Sequence, residues 1–183
     1  YCGRRHGIGI GSGTDALYMA LKALEIGPGN EVIVTPLSWI ATVNAIVLNG
    51  ATPVFVDIDE SLNIDARKIE AAITDKTRAI LPVHFTGRMC DIERIAEIAD
   101  AHGLHLIEDG AQAFGASVNG RMCGSFGTLS CFSMNPMKVL NAYGEAGAVM
   151  TDDDDLKARL ESLRYAGTVN KQDCRTPSLN GRL

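Results

Sequence analysis

Asp91-Ile92-Glu93-Arg94-Ile95-Ala96-Glu97-Ile98-Ala99-Asp100-Ala101-His102-Gly103-Leu104-His105-Leu106-Ile107-Glu108-Asp109-Gly110-Ala111-Gln112 holds a helix, its stop signal and a buried strand in direct succession. Ile92, Ile95, Ala96 and Ala99 recur at helical spacing along one stripe, and Gly103 supplies the residue at which a helix can turn off. Leu104 to Glu108 then reads as a short strand whose end delivers an acid and an amide into a loop. A helix closed by glycine and followed at once by a buried strand is half of a parallel βαβ unit.

The same rhythm extends in both directions. Towards the N-terminus, Ser12-Gly13-Thr14-Asp15 resembles a capping box, with Ala16, Leu17, Ala20, Leu21 and Leu24 on one face before Gly27. After a Pro28-Gly29 turn, Glu31 to Thr35 reads as a strand, Ile40 to Leu48 as a helix closed by Asn49-Gly50, and Thr52 to Asp57 as a strand. Asp65 can cap a helix to about Ile73, ahead of a strand from Thr77 to Val83. Towards the C-terminus, Asn119-Gly120 marks a hairpin turn, and strands Leu129 to Ser133 and Ala148 to Thr151 flank a loop carrying Lys138. Asp153 to Ala166 closes the series as a helix with acids in its first turn. The expected architecture is α/β, a mostly parallel sheet sandwiched by helices.

The 183 residues suit one domain, and 46% apolar with 21% charged residues matches an ordinary water-soluble protein. No apolar run approaches the roughly 20 residues of a bilayer span and no secretory signal pattern opens the chain, so a cytoplasmic location without membrane contact is expected. A net charge of -5 argues against nucleic acid as a partner and leaves small molecules. Five scattered cysteines without a C-x-x-C pair suggest neither a disulfide framework nor a metal site, and Cys131 reads as a reduced core residue. Because the chain opens on Tyr1 and stops at Leu183 mid-pattern, a fragment of a longer protein is expected.

Ligands of open α/β sheets bind beyond the carboxyl ends of strands, so polar residues just after strands are the candidates. Gly7-Ile8-Gly9-Ile10-Gly11-Ser12-Gly13-Thr14 reads as a glycine-rich turn entering a helix N-terminus, suited to a phosphate. Its Gly11, Gly13 and Ala16 also match a dinucleotide fingerprint, but the next strand ends without the acid that would bind a ribose. Trp39 offers either core packing or a stacking surface. Asp109 and Gln112 follow the buried run; a carboxylate there is solvated or else needs a partner. Lys138 sits beyond a strand among small and apolar residues, and lysine is the side chain that forms imines.

Together these loops resemble the DegT/DnrJ/EryC1/StrS family of pyridoxal-phosphate-dependent sugar aminotransferases. The resemblance rests on Ser12-Gly13-Thr14-Asp15-Ala16-Leu17, Pro53-Val54-Phe55-Val56-Asp57-Ile58-Asp59, Pro82-Val83-His84, Glu108-Asp109 with Ala111-Gln112-Ala113, and Phe132-Ser133 followed by Lys138. Asn141 to Ala148 and Asn180-Gly181-Arg182-Leu183 extend it. It implies the large, cofactor-binding domain of a fold-type I PLP-dependent transferase over residues 1–183, lacking the small C-terminal domain, so that turnover is not expected of the fragment alone.

The resemblance further implies that Lys138 joins pyridoxal 5'-phosphate as a Schiff base and then serves as acid and base, and that Asp109 pairs with the ring nitrogen. It implies that Gly13, Thr14 and Ser133 receive the phosphate, with Asn180 arriving from the other subunit of a homodimer. Trp39 would stack on the ring and Gln112 would lie near its 3-hydroxyl. An amino group, typically from glutamate, would pass to a nucleotide-linked keto-sugar in polysaccharide or antibiotic-sugar biosynthesis. Two alternatives stand beside this reading: a non-catalytic cofactor-binding or regulatory module of the same fold, and a nucleotide-binding dehydrogenase. Two departures from the family pattern are Gly110 in place of alanine and Met134-Asn135-Pro136-Met137 in place of an aromatic-rich stretch. His84 receives no role beyond a structural one.

Overall fold

The structure, a computed structural model, describes residues 1–183. In chain order it runs β1 (His6–Ile10), α1 (Gly13–Ala23), β2 (Glu31–Val34), α2 (Ile40–Leu48), β3 (Thr52–Phe55), α3 (Ala66–Ile69), β4 (Thr77–Leu81), α4 (Ile92–His102) and β5 (His105–Asp109). A small hairpin, β6 (Ser117–Val118) and β7 (Arg121–Met122), precedes β8 (Leu129–Ser133), β9 (Gly147–Thr151), α5 (Asp154–Arg164) and the short pair β10 (Thr168–Val169) and β11 (Asp173–Cys174).

Seven strands form one sheet in the order β1-β9-β8-β5-β4-β2-β3. The pairings β3-β2, β2-β4, β4-β5 and β5-β8 are parallel, whereas β9 lies antiparallel to both β8 and β1. The central strands bury both faces, which is why they read as continuous apolar runs such as Ala79-Ile80-Leu81. One face packs on α1, α2 and α5 through a cluster that includes Ile10, Leu21, Ile46, Leu81 and Leu160. The other packs on α3 and α4 through Ile33, Ile64, Ile69, Ile80 and Ile95. The sheet is thus sandwiched by helices, the architecture that the sequence implied.

Local chemistry explains the element ends. Ser12 caps α1 by accepting from the Asp15 amide at 3.0 Å. Asp153 caps α5 through the amides of Asp155 and Leu156 at 2.8 and 2.9 Å. Gly103 ends α4 in the left-handed region at φ 63°. Helix α2 has neither a side-chain cap nor a charged residue. A missing cap costs about 1 kcal/mol, and full burial of Ile46 contributes about 2 kcal/mol in return, so α2 is held by docking rather than by its own propensity.

The structure corrects several expectations. Residues 6–10 are not a glycine-rich turn but edge strand β1, paired residue for residue with β9. Gly7 and Gly9 leave space that the Met150 and Leu183 side chains approach, and the actual turn is only Gly11-Ser12. Helix α1 stops before Gly27, because Glu25 takes the left-handed turn at φ 58°. Ile98 joins the buried stripe of α4, and Ala96 packs against it half-buried. The stretch after Asp65 is one turn of α-helix followed by a 3-10 turn, and β10–β11 had no clear sequence signal.

Candidate active site

The carboxyl ends of β2, β5 and β8 and the N-terminus of α1 meet around one cavity of about 800 Å³. Gly13, Thr14, Trp39, Asp109, Gln112, Ser133 and Lys138, all predicted from sequence, line it together. Asn180 does not: it bridges Tyr165 in the C-terminal segment and its side chain accepts from Arg182 Nε at 2.7 Å. A larger and more open groove of about 1080 Å³ lies between α5 and the segment after it, lined by Lys22, Arg159, Arg164 and Arg175 among others. It contains none of the seven residues.

The α1 end of the cavity is shaped for an anion. The amides of Gly13 and Thr14 have no acceptor within the chain, because Ser12 serves only the next two, Asp15 and Ala16. Gly13 is required there by packing: a Cβ would stand 2.5 Å from that of Ser133. The missing side chain lets the helix N-terminus close on β8 and sets the Ser133 hydroxyl beside the free amides.

The floor is Asp109, the last residue of β5, only 3% exposed. The reading of it as a solvated loop acid is therefore excluded. Its Oδ2 accepts from the Thr42 hydroxyl at 2.9 Å and its Oδ1 from the Ala111 amide at 3.1 Å. Burial pushes this carboxyl above the usual range, and these two donors with the charge of Lys138 offset the push only in part. A buried carboxylate so sparsely answered, facing a cavity, suits a cationic ligand atom such as a protonated ring nitrogen.

Lys138 lies on the loop between β8 and β9, partly exposed. Asn135 organises that loop: its carbonyl accepts from the Lys138 amide at 2.8 Å, its Oδ1 from the Met137 amide at 3.0 Å, and its Nδ2 donates to Glu145. Gln112 accepts from the Thr86 amide at 3.0 Å and so presents its amide group at the wall. Trp39 is 71% exposed and flanks the cavity at the start of α2, which removes the reading of it as a packed core residue. Site by site, the residues present fit pyridoxal phosphate: an anion cradle, a sparsely answered acid, a flat ring and an amine share one space.

Sequence reasoning missed Thr42, Ser38 and Asn135. The signal for Thr42 was available, as a hydroxyl in the otherwise apolar first turn of α2 one loop beyond β2. His84 was left without a site role and proves fully buried behind the floor, where its Nδ1 accepts from the Cys90 amide at 3.3 Å and its Nε2 faces Glu108 Oε2 at 3.2 Å. Its Nε2, the Glu108 carboxylate and Cys123 Sγ lie within 4.8 Å of one another, a convergence their wide spacing in sequence concealed.

Comparison with known proteins identifies the family and the fold. The sequence profile of the DegT/DnrJ/EryC1/StrS aminotransferase family matches residues 1–182. A UDP-N-acetyl-3-dehydro-alpha-D-glucosamine 3-aminotransferase of Acidithiobacillus ferrooxidans is 52% identical over 91% of this chain and 45% of its own length. A pleiotropic regulatory protein of Geobacillus stearothermophilus is 47% identical over all of this chain and 50% of its own length. The crystal structure of S. venezuelae DesV in complex with a ketimine intermediate superposes with a TM-score of 0.96 at 45% identity, covering all of this chain and 50% of that one. The chain thus spans about half the length of the relatives it matches. On sequence and fold alike, it belongs to the DegT/DnrJ/EryC1/StrS aminotransferase family.

Proposed function

We propose that this chain is the cofactor-binding large domain of a pyridoxal-phosphate-dependent aminotransferase that moves an amino group, from glutamate, to a nucleotide-linked keto-sugar. The observation that carries the reading is Asp109: a buried carboxyl with two neutral donors, set in the floor of the cavity that Lys138 also lines. Kinship to the Acidithiobacillus and S. venezuelae proteins supports the reaction class and the sugar substrate.

Pyridoxal phosphate, when bound, supplies an electron sink for the carbon that loses or gains a proton. Asp109 would keep the ring nitrogen protonated, Trp39 would cover a ring face and Gln112 would lie near its 3-hydroxyl. The Gly13 and Thr14 amides with the Ser133 hydroxyl would hold the phosphate. Lys138 would anchor the cofactor covalently through Nζ, and its freed amine would then take and return the substrate proton. Asn180, outside the cavity of its own chain, would reach the phosphate of a second subunit, and a smaller C-terminal domain would complete the substrate site.

The test uses the full-length protein. Pyridoxal phosphate should give a visible absorption band that Lys138→Ala abolishes, glutamate should bleach it, and one member of a panel of nucleotide keto-sugars should restore it. The kinship to a pleiotropic regulatory protein favours a second reading, a cofactor-binding regulatory module. Cofactor binding with no response to glutamate or any other amino donor would decide for that module.

A further inference from the structure

This inference rests on the pyridoxal-phosphate reading and concerns Thr42, a cavity-lining residue to which that reading assigns no role. Thr42 is 1% exposed in the first turn of α2, and its hydroxyl has two neighbours: Asp109 Oδ2 at 2.9 Å and the Ser38 hydroxyl at 2.8 Å. A hydroxyl owns one proton. An ionised carboxylate only accepts, so Thr42 gives its proton to Asp109 and must itself accept from Ser38. The direction Ser38 to Thr42 to Asp109 is thereby fixed for as long as Asp109 is charged. Ser38 also lines the cavity, so the chain of hydroxyls runs from its wall to its floor.

We propose that Thr42 is a positioning residue that keeps the Asp109 carboxyl ionised and aimed into the cavity, with Ser38 setting the direction of its hydroxyl. Geometry gives the reason. The Ala111 amide occupies Oδ1 and the Thr42 hydroxyl occupies Oδ2, which pins the rotation of the carboxyl and leaves its remaining lone pairs for a ligand. Among side chains, Thr42 is the only hydrogen-bond donor to Asp109. Lys138 acts on it as a charge that favours the anion, and His84, Glu108, Cys123 and Cys131 are the other titratable groups nearby. Helix α2 has no cap of its own, so the bond to Asp109 also ties the start of that helix, and with it Trp39, to the sheet.

The experiment places pyridoxal phosphate labelled with ¹⁵N in its ring into the full-length protein and reads the ring nitrogen by NMR. The wild-type signal should be that of a protonated nitrogen. Thr42→Val keeps the shape and removes the hydroxyl; its signal should move towards the unprotonated position, and bleaching by glutamate should slow roughly tenfold, the scale of one hydrogen bond to a charge. Thr42→Ser should restore both. Should Thr42→Val not fold, Ser38→Ala leaves the Thr42 hydroxyl free to rotate and should give a smaller shift in the same direction. A ring-nitrogen signal unchanged in the variant that folds would overturn the role of Thr42 alone. Failure of the wild-type protein to bind the cofactor would overturn the proposed function, and this inference with it.

Discussion

Glu108 and Asp109 are consecutive buried residues of β5, and the protein answers them differently. Glu108 receives four N-H groups: His84 Nε2 at 3.2 Å and the amides of Gly124, Phe126 and Gly127 at 3.0, 2.7 and 2.8 Å. Asp109 receives two donors. Alternation along a strand sends the two side chains to opposite faces, so the first meets the loop of residues 124–127 and the second meets the cavity. Burial alone would raise both acids, but the hydrogen bonds from His84 and from the Gly127 and Gly124 amides bring Glu108 below its ordinary range, while Asp109 stays above its own. One acid is a structural pin, and the other is left open for a partner.

Opposite responses to pH and to amide substitution follow from that difference. A lowered folded pKa means that Glu108 contributes stability above its unfolded value, about 4.3, and that this is lost as pH falls through its folded value. A raised folded pKa means that Asp109 binds its proton more tightly when folded, so its contribution is lost as pH rises from about 3.9 through its folded value. In the cofactor-free protein, Glu108→Gln should therefore cost about 2–4 kcal/mol at pH 7, because an amide cannot accept from all four donors. Asp109→Asn should leave stability equal or higher at pH 7 while abolishing the glutamate-driven spectral change. Urea unfolding midpoints between pH 4 and 8 check both signs.

Gly13 gives a steric prediction. A methyl group at this position would stand 2.5 Å from the Ser133 Cβ, so α1 must move away from β8 or Ser133 must yield. Gly13→Ala should destabilise by about 1–3 kcal/mol, the usual cost of overpacking, and weaken cofactor binding more than tenfold by opening the anion cradle. Adding Ser133→Gly should recover much of the stability but not the affinity, since the hydroxyl is lost with the clash. Calorimetry and equilibrium dialysis on the single and double variants separate the two effects.

The fold was legible wherever a strand or helix carried its own period and punctuation. Helix α2, β8 and the Asn119-Gly120 hairpin stand where the residues predict them. Strand β1 was not legible, because alternating glycines in Gly7-Ile8-Gly9 imitate a phosphate loop, and only the pairing partner β9, far along the chain, turns them into an edge strand. Of the candidate site, what was legible is that residues after different strands converge, as Lys138 and Asp109 do in lining one cavity. Thr42 and Asn135 were not, since a threonine in an apolar helix and an asparagine in a loop gain meaning only from partners the fold brings to them. His84 and Glu108 show the same limit, as they are 24 residues apart in sequence and meet only through adjacent parallel strands.

Trp39 separates a packing role from a binding role without ambiguity. With 71% of its surface exposed and no side-chain cap to donate, it gives the isolated fold little. Trp39→Ala should change the thermal midpoint of the cofactor-free protein by less than about 2 °C, as for an ordinary surface substitution. Cofactor affinity should fall by roughly tenfold, the scale of about 0.5–1.5 kcal/mol for one aromatic contact together with lost burial. A large loss of stability with unchanged affinity would return Trp39 to the core.

Asn135 is the residue on which the reach of Lys138 depends. The loop from Ser133 to Gly147 is tied at its neck by the Met134 amide on the Ala146 carbonyl at 2.7 Å and the Ala142 amide on the Met134 carbonyl at 2.8 Å. Between those ties, the only bonds that orient the residues just before Lys138 are those of Asn135, to Ser133, Met137, Lys138 and Glu145. Asn135→Ala removes the side-chain bonds but keeps the two made by its backbone, so the lysine remains present and unaltered while its approach loosens. Global stability should fall by only about 1 kcal/mol, the net value of such partly exposed bonds. Because covalent attachment needs Nζ held within reach of its target, borohydride trapping of pyridoxal phosphate on Lys138 should slow by about tenfold or more. Asn135→Asp, which retains an acceptor for Met137 but repels Glu145, should fall between the two; trapping at the wild-type rate in Asn135→Ala would mean that the neck of the loop alone positions the amine.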